Sequence, residues 1–532
     1  MTGKVSRRAF GAGVVSVGIA GRAAFAQETP RRGGTLVATW GGGEPPACYV
    51  PAGGGAAPAF PSSKLLERLG ARLVDGRFVG ALAEGWKPAA DFKSYTVKLR
   101  QGVKFHDGKD MTAADVVYSI DEIWKKHAAA PAMTGYAGVT APDAGTVVVA
   151  FGKPVPEFSF ASLLCGPANY IVPRHVYAGS DPLTNPANDA PIGTGPWRFK
   201  EWVRGSHFEF VRNDAYWRPD QPYMDRLVLR YVRDPAGRAA AMEAGDIHLG
   251  VFNPVALPDI KRLTATGKFV ATSTGYEDAA WSTTLECNVR NPVFARKEVR
   301  QAMFLAVDRT LVAKTVYYGY ARPGTGPICS SNVEYFSTDT ASTAFDPKKA
   351  AALLDAAGYP KKADGKRFTV RLLAAGWFPE NGKVGAIVKQ GLEDIGVGVT
   401  LTVPDRPTSI RRLYTDYDFD LAISNQVNPS EPVPSTTQYF TSDGIRKGVP
   451  FRNASGFHSD EVDALVERIR VETDPARRRM LVAAFQKTIS VEAPLLPLLE
   501  LESITVASSK VRNHSNDANV LAASWHDIWL AD

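Results

Sequence analysis

Tyr95, Val97 and Leu99 alternate strictly with Thr96, Lys98 and Arg100, the two-residue period of a half-buried strand. Val103 and Phe105 carry the alternation on to Asp107-Gly108, a turn signal. Thr112 and Asp115 then stand as a capping box, with Asp in place of the usual Glu, and open a helix bearing Val116, Val117, Ile120 and Ile123. Further strands are predicted at Thr35–Trp40, which runs into Gly41-Gly42-Gly43, at Trp197–Trp202 and His207–Arg212 after Gly193-Thr194-Gly195-Pro196, and at Leu227–Val232. Residues 27–34 read as a polar entry, and Pro51–Pro61, rich in Gly, Ala and Pro, as a second loose segment. The first part of the chain is therefore strand-rich and mixed.

From about residue 299 the period changes. Val299, Ala302, Met303, Ala306 and Val307 mark a helix. Asp346-Pro347 supplies an N-cap with Pro at the first helical position, and Gly358 closes that helix. Strands at Phe368–Leu372, Val397–Val403 and Phe419–Ser424 alternate with a helix carrying Val384, Ile387, Val388, Leu392 and Ile395, and two more helices start at Ser459 and Asp474-Pro475. This alternation predicts an open α/β lobe. No internal repeat is visible.

Composition narrows the class. With 45% hydrophobic and 22% charged residues in 532, the chain can bury large cores and is not disordered. The formal charge is +7, but Lys4, Arg7, Arg8 and Arg22 fall in the first 26 residues with no acid among them, so four of the seven excess charges belong to this leader. The longest basic run elsewhere, Arg477-Arg478-Arg479, sits in a helical pattern and reads as a solvated face; nucleic-acid binding is not expected. Ser6-Arg7-Arg8-Ala9-Phe10, a short apolar stretch from Gly11 to Gly21 and Ala24-Phe25-Ala26 have the layout of a twin-arginine signal peptide over residues 1–26, cleaved near Ala26. No Cys marks a lipid anchor there, and no later run reaches about 18 apolar residues. An exported chain meets an oxidising compartment, where Cys48, Cys165, Cys287 and Cys329 allow three pairings among which the sequence does not choose.

Local catalytic and metal motifs are missing. None of the eight histidines forms HxxxH or HExxH, no G-x-S-x-G elbow occurs, and Gly376 to Lys383 has one residue too many for a phosphate loop, with Val384 where Ser or Thr is needed. His106-Asp107 reads as a hairpin turn rather than part of a triad. Aromatic residues in loops stand out instead: Trp40, Tyr49, Tyr276, Trp281, Trp377 and Trp525. Beside glycine-rich backbone they suit recognition of a small solute in a cleft, although each singly also fits a core position.

Several blocks in order resemble the bacterial extracellular solute-binding proteins of family 5, the dipeptide, oligopeptide and nickel-binding group: Leu82-Ala83-Glu84-Gly85-Trp86, Leu99 to Gly108, Thr112 to Ser119, Ile192 to Trp197, Arg212 to Trp217, Val299 to Ala302 and Ala306 to Arg309. The resemblance implies an α/β, two-lobed periplasmic binding protein (type II, cluster C-like) with an extra inserted subdomain in lobe I. Lobe I would comprise residues 30–72, an inserted subdomain 73–187, 188–283 and a C-terminal part 503–532; lobe II would be 284–502. The chain would cross between lobes near Thr283–Cys287 and Glu500–Ser503. The implied function is capture of a peptide or peptide-sized solute between the lobes and its delivery to the permease subunits of an ABC importer in the inner membrane, by a periplasmic monomer without enzymatic activity, cofactor or metal. A secreted hydrolase with scattered catalytic residues, or a solute sensor on the same fold, are the alternatives.

Binding residues expected on this basis are Trp40, Gly42 and Glu44 at the end of the first strand, Tyr276 and Trp281 before the first crossing, Trp377 and Arg411 from lobe II, and Asn425, Gln426 and Asn428 after a lobe II strand. Peptide binders of the family place an Asp in that last stretch for the peptide's ammonium group. Asparagines stand there in this chain, so Glu431, Glu277 or Asp278 would substitute, or the ligand is not a free-amine peptide.

Overall fold

Thr35–Trp40 forms the central strand of a seven-stranded sheet in the computed structural model, which describes residues 29–51, 56–128, 133 and 135–532. The leader and its cleavage site lie outside these residues. The sheet runs Phe269–Thr272, Thr505–Ser508, Leu249–Val251, Thr35–Trp40, Arg226–Arg230, His207–Arg212, Trp197–Val203. Its central strand is parallel to both neighbours, with Leu36 opposite Leu227 and Ala38 opposite Leu249. Covered on both faces, Leu36, Ala38 and Trp40 are at most 1% exposed.

An antiparallel four-stranded sheet, Ala83–Pro88, Ser94–Leu99, Thr146–Phe151 and Tyr136–Asp143, is inserted into this lobe. Tyr95, Val97 and Phe160 belong to the same apolar core as Leu36 and Trp40, so the insertion is welded to the lobe rather than tethered to it. The capping box forms as read: Asp115 Oδ2 accepts from the Thr112 backbone N–H at 2.9 Å and from its hydroxyl at 3.0 Å, and starts the Ala113–Tyr118 helix.

The second lobe is a six-stranded sheet in the order Ala321–Pro323, Leu495–Leu501, Ala280–Cys287, Leu421–Asn428, Thr369–Ala374, Gly398–Thr402. Thr369–Ala374 is parallel to both of its neighbours, and the Glu380–Asp394 helix carries the chain from it to Gly398–Thr402. Asp346, Ser459 and Asp474 cap their helices as the sequence suggested, and Gly358, at φ 87°, takes the left-handed conformation that ends the first of them.

Two expectations need correction. Pro51–Pro61 is not loose throughout: a helix spans Ala56–Leu65 with Pro61 inside it, held by burial of Phe60 and Leu65. The first crossing also lies earlier than Thr283–Cys287. Those residues sit inside the second sheet, paired with Leu421–Asn428 and Leu495–Leu501, and the connection runs instead between Thr272 and Ala280. The return lies between Leu501 and Thr505, close to the expected place. The four cysteines are all free and buried. Burial pushes the Cys165 and Cys287 thiols up to about 12, which makes them poor nucleophiles.

Candidate functional site

Where the two lobes face each other lies a half-open cavity of about 140 Å³. The first lobe contributes Val50, then Pro58, Ala59 and Ser62 from the Ala56–Leu65 helix, Pro167, Ala168 and Tyr170 after the Glu157–Leu164 helix, and Asn519 and Leu521 from the C-terminal segment. Asp278 and Ala279 come from the crossing connection. Trp281 and Val427 come from the second lobe, and they are directly opposed in antiparallel register, so one cross-strand pair forms that wall. Trp281 is itself braced edge-on by Phe378, with ring centroids 5.4 Å apart, and lies 6.2 Å from Phe252.

Asp278 is the one charged residue among the described residues of this lining. Arg72 Nη1 donates to its Oδ1 at 2.6 Å, and the Arg72 side chain is 5% exposed. The same guanidinium donates to Ser430 Oγ of the second lobe, and to Gly76 O at 3.3 Å, and lies over the Phe78 and Phe158 rings at 5.4 and 5.6 Å. Arg72 thus contacts both Asp278 of this lining and the Phe78 and Phe158 rings, which line a wider cavity of about 700 Å³ together with Trp86, Phe92 and Tyr335. A further bridge joins the lobes here. Ser159 Oγ donates to Glu431 Oε2 at 2.8 Å, and Glu431 takes a two-pronged contact from Arg478 at 2.8 and 3.1 Å. Burial disfavours the Arg478 charge, but Glu431 and Tyr335 outweigh it and raise its pKa.

The expected binding residues divide. Trp281 lines the cavity. Asn425 lies two residues from Val427, on the same strand face, but its side chain is spent on the fold: Oδ1 accepts from Trp377 Nε1 at 3.1 Å and Asn381 Nδ2 at 2.7 Å, and Nδ2 donates to Thr283 Oγ1 at 3.1 Å. Gln426 and Asn428 fall on the opposite face of the strand, where Asn428 Nδ2 donates to Ser282 Oγ at 3.1 Å. Trp377 packs on Phe451 and reaches Asn425 rather than the cavity. Tyr276 is buried with its hydroxyl accepting from Phe252 N at 2.6 Å and bonded to Thr505 Oγ1 at 2.8 Å, which pins the crossing to the first sheet. Beside it Glu277 is pushed up by burial, and its carboxylate accepts from Gly275 N.

Trp40 belongs to the core, against Phe60 and Tyr231. A Cβ on Gly42 would stand 2.8 Å from the Trp40 ring, and one on Gly41 1.8 Å from Phe252 O, so these glycines serve close backbone approach. Glu44 Oε1 accepts from Gly205 N at 2.7 Å and Trp202 Nε1 at 3.2 Å and ties down a hairpin of the first lobe. Arg411 is exposed and pairs with Asp416 at 2.7 Å, away from the cavity. Sequence reasoning passed over Val50, Pro58, Ala59, Tyr170, Val427, Asn519, Leu521 and Arg72, which stand in no motif.

The family model described as Bacterial extracellular solute-binding proteins, family 5 Middle matches residues 77–448. A Brucella ovis protein provisionally named an ABC transporter peptide-binding protein is 27% identical over 450 residues, covering 82% of this chain and 81% of its own. The glutathione-binding protein GsiB of Escherichia coli (strain K12) is 26% identical over 455 residues, 81% of each chain. Among solved structures, NikA from Brucella suis in complex with Fe(III)-EDTA matches 94% of this chain and 100% of its own with a TM-score of 0.80 at 25% identity.

Proposed function

Because this chain belongs to the bacterial extracellular solute-binding proteins of family 5, we propose that it is the periplasmic receptor of an ABC importer, and that it captures a peptide-sized solute in the cavity between its lobes and hands it to the permease subunits. The observation that carries this reading is the cavity whose walls come from both lobes and from the connection between them: helix and irregular chain of the first, the Trp281–Val427 strand pair of the second. A ligand seated there touches both lobes at once, and its contacts favour the closed arrangement. The hinge is assigned to the connections 273–279 and 502–504, which join two otherwise separate cores. Among the described residues no helix is long and apolar enough to cross a membrane. Export by the twin-arginine leader, cleavage near Ala26, action as a monomer and the lack of catalytic activity complete the reading.

Native mass spectrometry of the chain recovered from the periplasm tests it. A bound small solute, released unchanged and lost in Trp281→Ala, is the expected result. Conversion of the solute to a product would favour a secreted hydrolase, and the absence of any bound or bindable solute would overturn the receptor reading.

A further inference from the structure

Asp278 of the lining and nearby Glu431 both have cationic partners, while Glu277 lines a separate cavity of about 340 Å³ on another side of Trp281. Asp278 is paired with Arg72 at 2.6 Å, and Glu431 is clasped by Arg478. Asn425 Oδ1 is filled by two donors and its Nδ2 is held by Thr283, and Asn428 is turned to the other face of its strand. Residues 52–55, next to the lining in sequence, are Ala-Gly-Gly-Gly and carry no charge. What remains is an apolar chamber of about 140 Å³, close to the roughly 150 Å³ of an engineered apolar cavity that holds a benzene ring.

An isolated ammonium or carboxylate placed in this chamber would have to break the Arg72–Asp278 pair or remain unneutralised, and either is costly away from water. A neutral group meets no such penalty and gains the contact area of Trp281, Tyr170 and Val427. Resting on the receptor reading above, we infer that the chamber selects a solute whose buried end is an uncharged aromatic or branched apolar group, as in a blocked peptide, and that the Arg72–Asp278 pair excludes free amines.

The test is titration calorimetry of the exported chain, freed of bound solute, with two matched probes: the zwitterionic dipeptide Leu-Phe and its N-acetylated, C-amidated form. The blocked probe is expected to bind at least about tenfold more tightly. Equal or better binding of the zwitterion, or no binding of the blocked probe, overturns the inference. Arg72→Met, which leaves Asp278 uncompensated, is expected to shift preference toward the free amine by about tenfold or more. Should that variant fail to fold, Arg72→Met/Asp278→Asn carries the test. It leaves no charge there to neutralise an ammonium, so it should keep the at least about tenfold preference for the blocked probe, whereas a preference shifted to the free amine would refute the inference. The solute found by native mass spectrometry keeps the two readings apart: a bound zwitterion sinks the neutral-end inference and leaves the receptor standing.

Discussion

Glu286 is the clearest case of a side chain whose environment sets its chemistry. It lies in the Ala280–Cys287 strand, 2% exposed, with Oε1 unpartnered among the described residues. Burial pushes its carboxyl up from 4.5 to about 8. At pH 5–7 the folded chain therefore keeps a proton that the unfolded chain releases. Its contribution is most favourable below the unfolded value, and stability falls as pH rises toward the folded one, by up to about 1.4 kcal/mol per unit. Glu286→Gln should flatten this slope; melting temperatures taken between pH 4.5 and 8.5 that decline alike in both proteins would disprove it. Asn425 makes the complementary point. Asn425→Ala strands Trp377 Nε1, while Asn381 Nδ2 keeps Ala375 O and Thr283 Oγ1 keeps Tyr317, so it should cost about 1–3 kcal/mol by denaturant unfolding, and solute affinity in the folded fraction changes by less than about threefold. Asn425, Gln426 and Asn428 looked like one polar cluster in the sequence, but the two-residue period of a strand splits them across two faces, and polarity alone does not say which face meets solvent.

At the scale of elements, strands with strict alternation or a central place were legible almost to the residue, as Thr35–Trp40 and His207–Arg212 show. Helix starts were legible where a cap was written into the sequence. Asp115 does more than cap: its Oδ1 also accepts from Arg174 N at 2.9 Å, joining the helix to a loop remote in sequence. Asp115→Ala should thus remove more than an ordinary cap, about 2–3 kcal/mol against about 1 for Thr112→Ala. Equal losses in urea unfolding would show that the Arg174 contact contributes nothing. The cavity drew on the segments that local pattern describes least. Pro58, Ala59 and Ser62 come from a helix masked by Pro and small residues, and Tyr170 and Asn519 from irregular chain. A site lined by small and apolar side chains looks, in one dimension, like a loop or a core, because its function lies in the space left between elements.

For the whole molecule, affinity is set by how ligand contacts and lobe-to-lobe contacts together balance the cost of closing. The family resemblance made the two-lobed plan legible, but not the seam that holds it shut, since Arg72 and Ser430, or Ser159 and Glu431, are hundreds of residues apart. Ser159→Ala is the cleanest probe of that seam. It deletes the 2.8 Å bond to Glu431 across the lobes and leaves Glu431 with both of its Arg478 contacts, so neither lobe acquires an unpaired buried charge. A hydrogen bond to a charged group in a partly buried place is worth about 1.5 kcal/mol net, or about tenfold in the closing equilibrium. Parting the lobes breaks a bond that joins them, so the loss should fall on solute release: in stopped-flow measurements the dissociation rate rises about tenfold, the association rate holds, and the melting temperature without solute stays within about 1 °C. An unchanged dissociation rate would mean that this bond takes no part in closure, and that the lobes are held by Arg72–Ser430, by Phe158 on Tyr335 and by the ligand through Trp281, Val427 and the opposing wall.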